Sequence, residues 1–272
     1  MGLGGHLMWT AVAAAVKEEK DLPTLPTDNL NIITNSEIFF NNPNFTTDQD
    51  SPHFHINLSN QTLNYLEDGD RVKFKTRDHI ISHYCKHLGI KNHKLKCEIY
   101  TTKKENEKAQ KIINSLPREF SVIEPHSKLS WSEGRAYPFE KWQKIVDATK
   151  NKIKFVQIGE PNKRRLNNVI YLNGKTTFRE VSSILRKAKL FVSSEGGLVH
   201  LANATETKSI VIYTSYHVYL PIFHYPENVS IDTSLYREEI GGYKKHHLYK
   251  NETEKHNENE IIKAINENIY SI

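Results

Sequence analysis

The sequence predicts an α/β protein built on a parallel sheet, and three observations carry that prediction. From Phe120 onward, strand-like apolar runs at 120–124, 154–158, 169–172, 190–193 and 209–213 are interspersed with helical patterns at 139–149, 177–188 and 197–204. Such alternation specifies βαβ units with helices on both faces of a parallel sheet. A glycine pair, Gly196-Gly197, stands between one of these strands and its helix, at the carboxyl edge where open α/β sheets bind ligands. The 272 residues, 38% hydrophobic and 25% charged, are enough for two modest globular domains.

The first part of the chain is less regular. An apolar helix over about 7–19 ends before Pro23 and Pro26, and Leu30 to Thr34 reads as a short buried strand. Ser36 to Pro43 reads as a turn anchored by Phe39 and Phe40, and 44–53 as a loop between prolines. Phe54 to Leu58 alternates as a strand does. Helices are expected over 78–88, ending at Gly89, and over 103–116, stopped by Pro117. The change of pattern puts a domain boundary near Pro117, dividing the chain into 1–117 and 118–272. A closing helix is expected over 257–269, after a Lys/His/Asn-rich segment.

Composition excludes several classes. Cys85 and Cys97 are too few for a disulfide scaffold and match no zinc spacing, so a reducing cytoplasm is the expected setting. No run approaches the roughly 20 apolar residues that cross a bilayer. The apolar stretch from Leu7 to Val16 lacks the basic start of a secretory signal and reads as a helix of the fold. A net charge of +5 suits an anionic ligand or the inner face of a membrane, where peripheral contact is among the expectations. No basic patch interleaved with aromatics argues for nucleic acid.

Chemistry concentrates in Leu190-Phe-Val-Ser-Ser-Glu-Gly-Gly-Leu-Val-His-Leu-Ala-Asn-Ala204. The strand, the glycine turn and the helix bring backbone amides and a positive helix end to one place, which suits a diphosphate. Local chemistry alone also fits an ordinary tight crossover. The segment resembles the C-terminal signature of glycosyltransferase family 9, the heptosyltransferase-like enzymes of bacterial surface polysaccharide assembly. That signature is Asp-Ser-Gly-x-x-His-x-Ala-x-Ala. Here Ser194 precedes Glu195, which replaces the Asp, and Gly196 replaces the small hydroxyl residue. Gly197 keeps the glycine, and His200 falls on the first turn of the helix, facing the donor pocket by the resemblance.

A second match lies in Ile123-Glu-Pro-His-Ser-Lys128 and Gly134-Arg-Ala-Tyr-Pro-Phe-Glu-Lys-Trp142. By the resemblance, Ser127, Lys128 and Arg135 contact the donor phosphates, as cations and amides must if no metal neutralises the leaving diphosphate. Tyr137 and Trp142 are expected in the core. Glu160, after the next strand, would accept bonds from ribose hydroxyls, and Thr214 would line the same pocket.

The N-terminus reads Gly2-Leu-Gly-Gly-His-Leu-Met-Trp-Thr10. Gly4 and Gly5 form an acceptor-side loop at the start of a helix. Family 9 enzymes carry Gly-Asp here, with the Asp as base, whereas this chain has Gly5 followed by His6. The Gly-x-Gly-Gly-His form is similar to the loop of other GT-B transferases, so His6 is the expected base: a neutral imidazole takes a hydroxyl proton near pH 7. The family also places a buried strand before this loop. Here Met1 stands there instead, so the first strand is absent or the start lies upstream.

The resemblance implies the GT-B fold, two Rossmann-like domains facing across a cleft, and inverting transfer. The donor is a nucleotide-sugar, ADP-linked and heptose-like by preference, used as substrate with no cofactor and no metal. The acceptor is a surface glycan, a lipid-linked sugar or a protein. A different hexose donor, or a weakly active sugar-nucleotide-binding scaffold, are the alternatives. Asp48-Gln-Asp50 and Asp68-Gly-Asp70 resemble metal sites of the other large transferase fold but lack a presenting strand. His79, His83 and His87 share a helix face and read as a basic stripe.

Overall fold

The computed structural model describes residues 2–67, 73–127, 136–214, 222–236, 238–239, 249–250 and 252–269. The first half consists of α1 (Leu3–Lys20), β1 (Thr24–Asp28), β2 (Asn31–Ile32), β3 (Phe54–Asn57), β4 (Leu66–Glu67), β5 (Lys73–Phe74), α2 (Ile80–His87) and α3 (Lys103–Ile113). The second half begins β6 (Ser121–Glu124), α4 (Phe139–Thr149), β7 (Phe155–Gln157), β8 (Val169–Tyr171), α5 (Phe178–Leu185) and β9 (Phe191–Ser194). It continues α6 (Gly197–Ala204), β10 (Ser209–Tyr213), β11 (Val229–Asp232), β12 (Glu238–Glu239), β13 (Tyr249–Lys250), α7 (Glu252–Lys255) and α8 (Asn259–Asn268).

Six strands of the second half form one parallel sheet in the order β11-β10-β9-β6-β7-β8. From β6 the chain builds outward to β8, then crosses back to start β9 on the other side of β6. The order therefore reverses between β6 and β9, which opens a crevice at their carboxyl ends. Side chains alternate across the sheet as strand geometry requires. Val122, Val156, Phe191 and Val211 join one apolar cluster with α5 and α6. Ile123, Phe155, Val192 and Ile210 join another with Trp142 and Ile145 of α4 and Ile261 and Ile265 of α8.

The small sheet of the first half has the order β2-β1-β3, with β1 and β3 parallel. The buried strand expected at 30–34 is displaced: the inner strand is Thr24–Asp28, and Leu30 is 97% exposed at a turn. Pro26 lies inside this strand. Its carbonyl accepts the Ile33 amide at 2.9 Å but it has no N–H to return, so pairing with β2 is only two residues long. The opposite edge of β1 keeps its four-residue register with β3.

The two halves share an apolar core. Leu7, Val12 and Val16 of α1 and Ile80 and Tyr84 of α2 belong to the same cluster as Ile184, Val199 and Leu201. Trp9 stacks on Tyr84 with centroids 4.1 Å apart. A polar tie supplements the apolar contact. Capping boxes at Thr102/Glu105 and Thr177/Glu180 start α3 and α5. From the first turn of α5, Arg179 reaches Glu105 at 2.6 and 3.0 Å and the carbonyls of Glu37 and Tyr100 at 2.6 and 2.5 Å. Among the described residues no helix is long and apolar enough to cross a membrane.

Arg179 is 5% exposed at its side chain, so removing it leaves Glu105 with only its Thr102 partners and strips the carbonyls of Glu37, Phe40 and Tyr100 of a donor. Arg179→Met should destabilise the fold by about 3–5 kcal/mol in urea denaturation. The Arg179 bonds, followed by those from Thr102, hold the Glu105 carboxyl down to about 2 against an ordinary 4.5. A depressed carboxyl stabilises the fold above its unfolded pKa, and that contribution fades as pH falls from about 4.5 towards 2. Glu105→Gln should remove this part of the acid dependence, seen as a flatter Tm-versus-pH curve in that window.

Candidate active site

The crevice between β6 and β9 opens into a cleft of about 1020 Å³ that also reaches the first half of the chain. Two helices begin on its wall. α1 starts at Gly2 and α6 at Gly196, neither with a side-chain cap nor an acidic residue in its first turn. The first amides of a helix have no intrahelical acceptor, and the helix end carries about half a positive charge. These two ends meet. A Cβ on Gly4 would lie 2.9 Å from Cδ2 of His200 and 3.0 Å from Cα of Gly197. Only glycine at position 4 allows this approach.

Around the α6 end, Ser194 is buried with its Oγ unpaired, and Glu195, Gly196, Gly197 and His200 line the cleft. His200 Nε2 lies 3.7 Å from Glu195 Oε1, and both side chains are almost fully buried. His200 Nδ1 meets the Tyr225 hydroxyl at 2.7 Å. Ser127, after β6, and the exposed Glu160, after β7, lie on the other side of the crevice. Thr214 is buried at the end of β10, with Oγ1 unpaired, away from the cleft's lining. Lys128 and Arg135 lie outside the described residues.

On the first half's side, Gly4, Gly5 and His6 form the opening turn of α1. His6 is half-buried, stacks on Phe39 at 4.8 Å and meets Ser36 Oγ through Nδ1 at 2.9 Å. Burial lowers its pKa below the ordinary histidine value, partly opposed by the Asp28 carboxylate. Asp28 itself closes β1, borders the cleft and accepts the Ser59 hydroxyl.

Several lining residues were not singled out from sequence. Glu124 ends β6, and burial followed by the charge of Glu160 pushes its carboxyl up to about 8. Gly159 faces it with φ 141°, where a Cβ would strike the Asn173 side-chain amide at 2.9 Å. Trp9, Tyr65, Tyr84 and Phe223 supply aromatic surface, with Tyr65 edge-on to Phe223 at 6.0 Å. Asp28 and Glu124 both end strands at the cleft, a position that signals a ligand once the strands are placed correctly.

The other motifs resolve differently. Asp48 folds back on its own loop, accepting the Asp50 amide and the Ser51 hydroxyl, and Asp68 and Asp70 lie outside the described residues. His79 caps α2 by accepting the Ile81 amide, and His83 is buried beside it. Among the described residues no three His, Cys, Asp or Glu side chains are grouped to hold a metal. Tyr137 and Trp142 are core residues.

A doubly wound sheet whose switch-point helix opens onto a cleft, with a smaller sheet opposite, has the architecture of the GT-B fold. Residues 62–229 match the family model for glycosyltransferase family 9 (heptosyltransferase), and the chain belongs to that family. A family 9 glycosyl transferase from Veillonella parvula DSM 2008 superposes with a TM-score of 0.74 at 13% identity, over 100% of this chain and 95% of that one. The iron-containing dodecameric glycosyltransferase TibC from enterotoxigenic E. coli H10407 gives 0.59 at 14% identity, over 89% of this chain and 62% of TibC. A TibC structure in complex with ADP-D-beta-D-heptose gives 0.59 as well, over 61% of that chain. No curated protein matches the sequence.

Because the two helix ends touch at Gly4, Gly4→Ala should displace backbone rather than a flexible side chain. A cost of about 1–3 kcal/mol in folding stability is expected. Nucleotide affinity should fall as well, in calorimetry with ADP on the folded variant. Unchanged values for both would mean the helix ends can separate freely.

Proposed function

We propose that this chain is an inverting, metal-independent glycosyltransferase that takes its sugar from a nucleotide-sugar bound at the β6–β9 crevice. The observation that carries it is the meeting of two uncapped helix N-termini at that crevice. Such an arrangement favours a diphosphate and stabilises it as it leaves. The donor favoured is an ADP-linked heptose, on the family's description and the ADP-heptose held by TibC. The donor is the substrate, and no cofactor is assigned. The domain division at Pro117 puts the donor mainly on 118–272 and the acceptor on 1–117. That acceptor is a surface glycan, a lipid-linked sugar or a protein, met in the cytoplasm or at the inner face of the membrane.

The donor contacts assigned are Ser127, Lys128, Arg135, Glu160, Ser194, Glu195, Gly196, Gly197 and His200, with Gly4 and Gly5 towards the acceptor; Thr214, buried outside the cleft's lining, is not among them. In the reaction, the acceptor oxygen forms a bond to the anomeric carbon as the bond to the diphosphate breaks. The diphosphate leaves with the electron pair, and the acceptor's proton passes to His6. Base action at Nε2 specifies the tautomer in which Nδ1–H donates to Ser36, so that Ser36 orients the ring. The lowered pKa keeps that ring neutral at neutral pH.

His6→Ala should lower kcat by about 10²–10⁴-fold with donor affinity nearly constant. In the unaltered enzyme, turnover should fall as acidification protonates His6, and the variant should lose this limb. Near-full turnover in His6→Ala would remove His6 as the base. Turnover should also survive EDTA. Loss on chelation with recovery on adding magnesium or manganese would reject the metal-independent mechanism. Donor identity is read from a thermal-shift series of ADP-, GDP-, UDP- and CMP-linked sugars, since a bound ligand raises apparent stability. Binding without release of nucleoside diphosphate in the presence of acceptors would favour a scaffold.

A further inference from the structure

Beneath the α6 helix end lies a buried chain of polar groups that the mechanism above does not use. Tyr225 is completely buried, and its hydroxyl touches His200 Nδ1 at 2.7 Å and Cys97 Sγ at 3.2 Å. Cys97 comes from the segment before α3, on the far side of the shared core, and is also fully buried. The His79 ring, on α2, leans against Tyr225 with centroids 4.9 Å apart. His79 accepts the Ile81 amide through Nδ1, so its own proton sits on Nε2.

The proton positions in this chain follow from what each group can give. Burial holds the Tyr225 hydroxyl protonated, and it pushes the Cys97 thiol up to about 12, so both keep their protons at neutral pH. The phenol is the stronger donor, and imidazole nitrogen is a far better acceptor than sulfur. The shorter contact is therefore Tyr225 O–H donating to His200 Nδ1, with Cys97 S–H donating to the Tyr225 oxygen. On the other side of the ring, Glu195 Oε1 stands 3.7 Å from Nε2, at the edge of the cleft. A phosphate oxygen entering there would be a second anionic acceptor on the same side. Both call for an N–H at Nε2.

We propose that Tyr225 is a positioning residue that fixes His200 in its Nε2–H tautomer, so that the ring offers a donor to the departing diphosphate. The proposal rests on the donor-site reading above. It assigns His200 as a hydrogen-bond donor to the leaving group and Tyr225 and Cys97 as the hydrogen-bonded chain that holds it so. Among the described residues, the groups near His200 include Glu195 from its own turn, Tyr225, Cys97 from before α3 and the α2 cap His79, which burial pushes down to about 3 and so keeps neutral.

The test uses the full chain labelled with ¹⁵N, the His200 signals being assigned by their loss in His200→Gln, since the chain holds 14 histidines. Near pH 8 the ring should show a protonated Nε2 and an unprotonated, hydrogen-bonded Nδ1. A proton on Nδ1, or an imidazolium, would overturn the proposal. Tyr225→Phe should release the tautomer and lower kcat about 10-fold to 100-fold near pH 8, with the donor KM little changed. In the same spectra the variant's ring should show Nδ1 and Nε2 both partly protonated, which a merely structural role of Tyr225 would not produce. No defect in kcat, a defect confined to donor KM, or an unchanged tautomer in the variant would speak against Tyr225 as a positioning residue. If the variant does not fold, the tautomer of the unaltered protein decides. Calorimetry with ADP on the unaltered protein separates the two readings. Failure to bind rejects the donor site whatever the tautomer, while binding with the wrong tautomer rejects only the role of Tyr225.

Discussion

Everything at the cleft depends on the close approach of α1 and α6 at Gly4 and Gly197. Two helix N-termini, each with roughly half a positive charge, repel one another when brought together. They meet here because the apolar faces behind them bury Leu7, Val12, Val199 and Leu201 in one core. At about 1.5–3 kcal/mol for each fully buried aliphatic side chain, that packing outweighs a dipole repulsion of about a kilocalorie. The outcome is a local excess of positive potential made of backbone, held rigid, and open to the cleft. An anion placed there relieves the repulsion, so the same contact that costs stability without ligand favours binding with it.

That contact also ties catalysis to the packing of the two halves. α1 belongs to the first half by sequence but buries its apolar face against a helix of the second. Arg179 repeats the pattern in polar form, a residue of α5 that bonds α3 and two carbonyls of the first half. Tyr225 and Cys97 do so a third time. Three independent ties across one interface resist its opening. The positions of His6 and His200 relative to one another are thus set by the core.

Much of this was legible in the sequence, for reasons that also explain what was not. The parallel sheet was legible because buried strands leave apolar runs, and those from Ser121 to Tyr213, except β7 and β8, are separated by clear helical periods. α6 was legible down to its ends because Gly196-Gly197 and the Ala-rich turn leave few alternatives. The inner strand of the small sheet was missed because Pro23 and Pro26 read as breakers, yet a proline is tolerated where its missing N–H faces the end of a ladder. β11 gave no signal, since Val229-Ser-Ile-Asp232 buries one side chain fully and sits at an edge. In the site, the glycines and histidines were visible as types, whereas Tyr225 was not. Nothing local marks a tyrosine whose partners, Cys97 and His200, lie 128 and 25 residues away.

The remaining electrostatic question is how a cleft bordered by Asp28, Glu124, Glu160 and Glu195 suits the diphosphate proposed for it. Among the described residues that line it there is no lysine or arginine. Four carboxylates would cancel the two helix ends several times over if all were ionised and equally close. Burial, with the neighbouring Glu160, lifts Glu124 to about 8, so at neutral pH it carries its proton and donates a hydrogen bond where a sugar or phosphate oxygen accepts one. Glu195 Oε1 stands 3.7 Å from His200 Nε2, where the proposed Nε2–H would face it. Asp28 lies at the His6 end of the cleft, and Glu160 is exposed and paired with Lys163 at 3.3 Å, where solvent screens it. Each carboxyl is thus neutralised, countered, distant or screened, and what remains at the centre is the field of the two helix ends. Loss of the Glu124 proton above about pH 8 would place a new negative charge beside that field and weaken it.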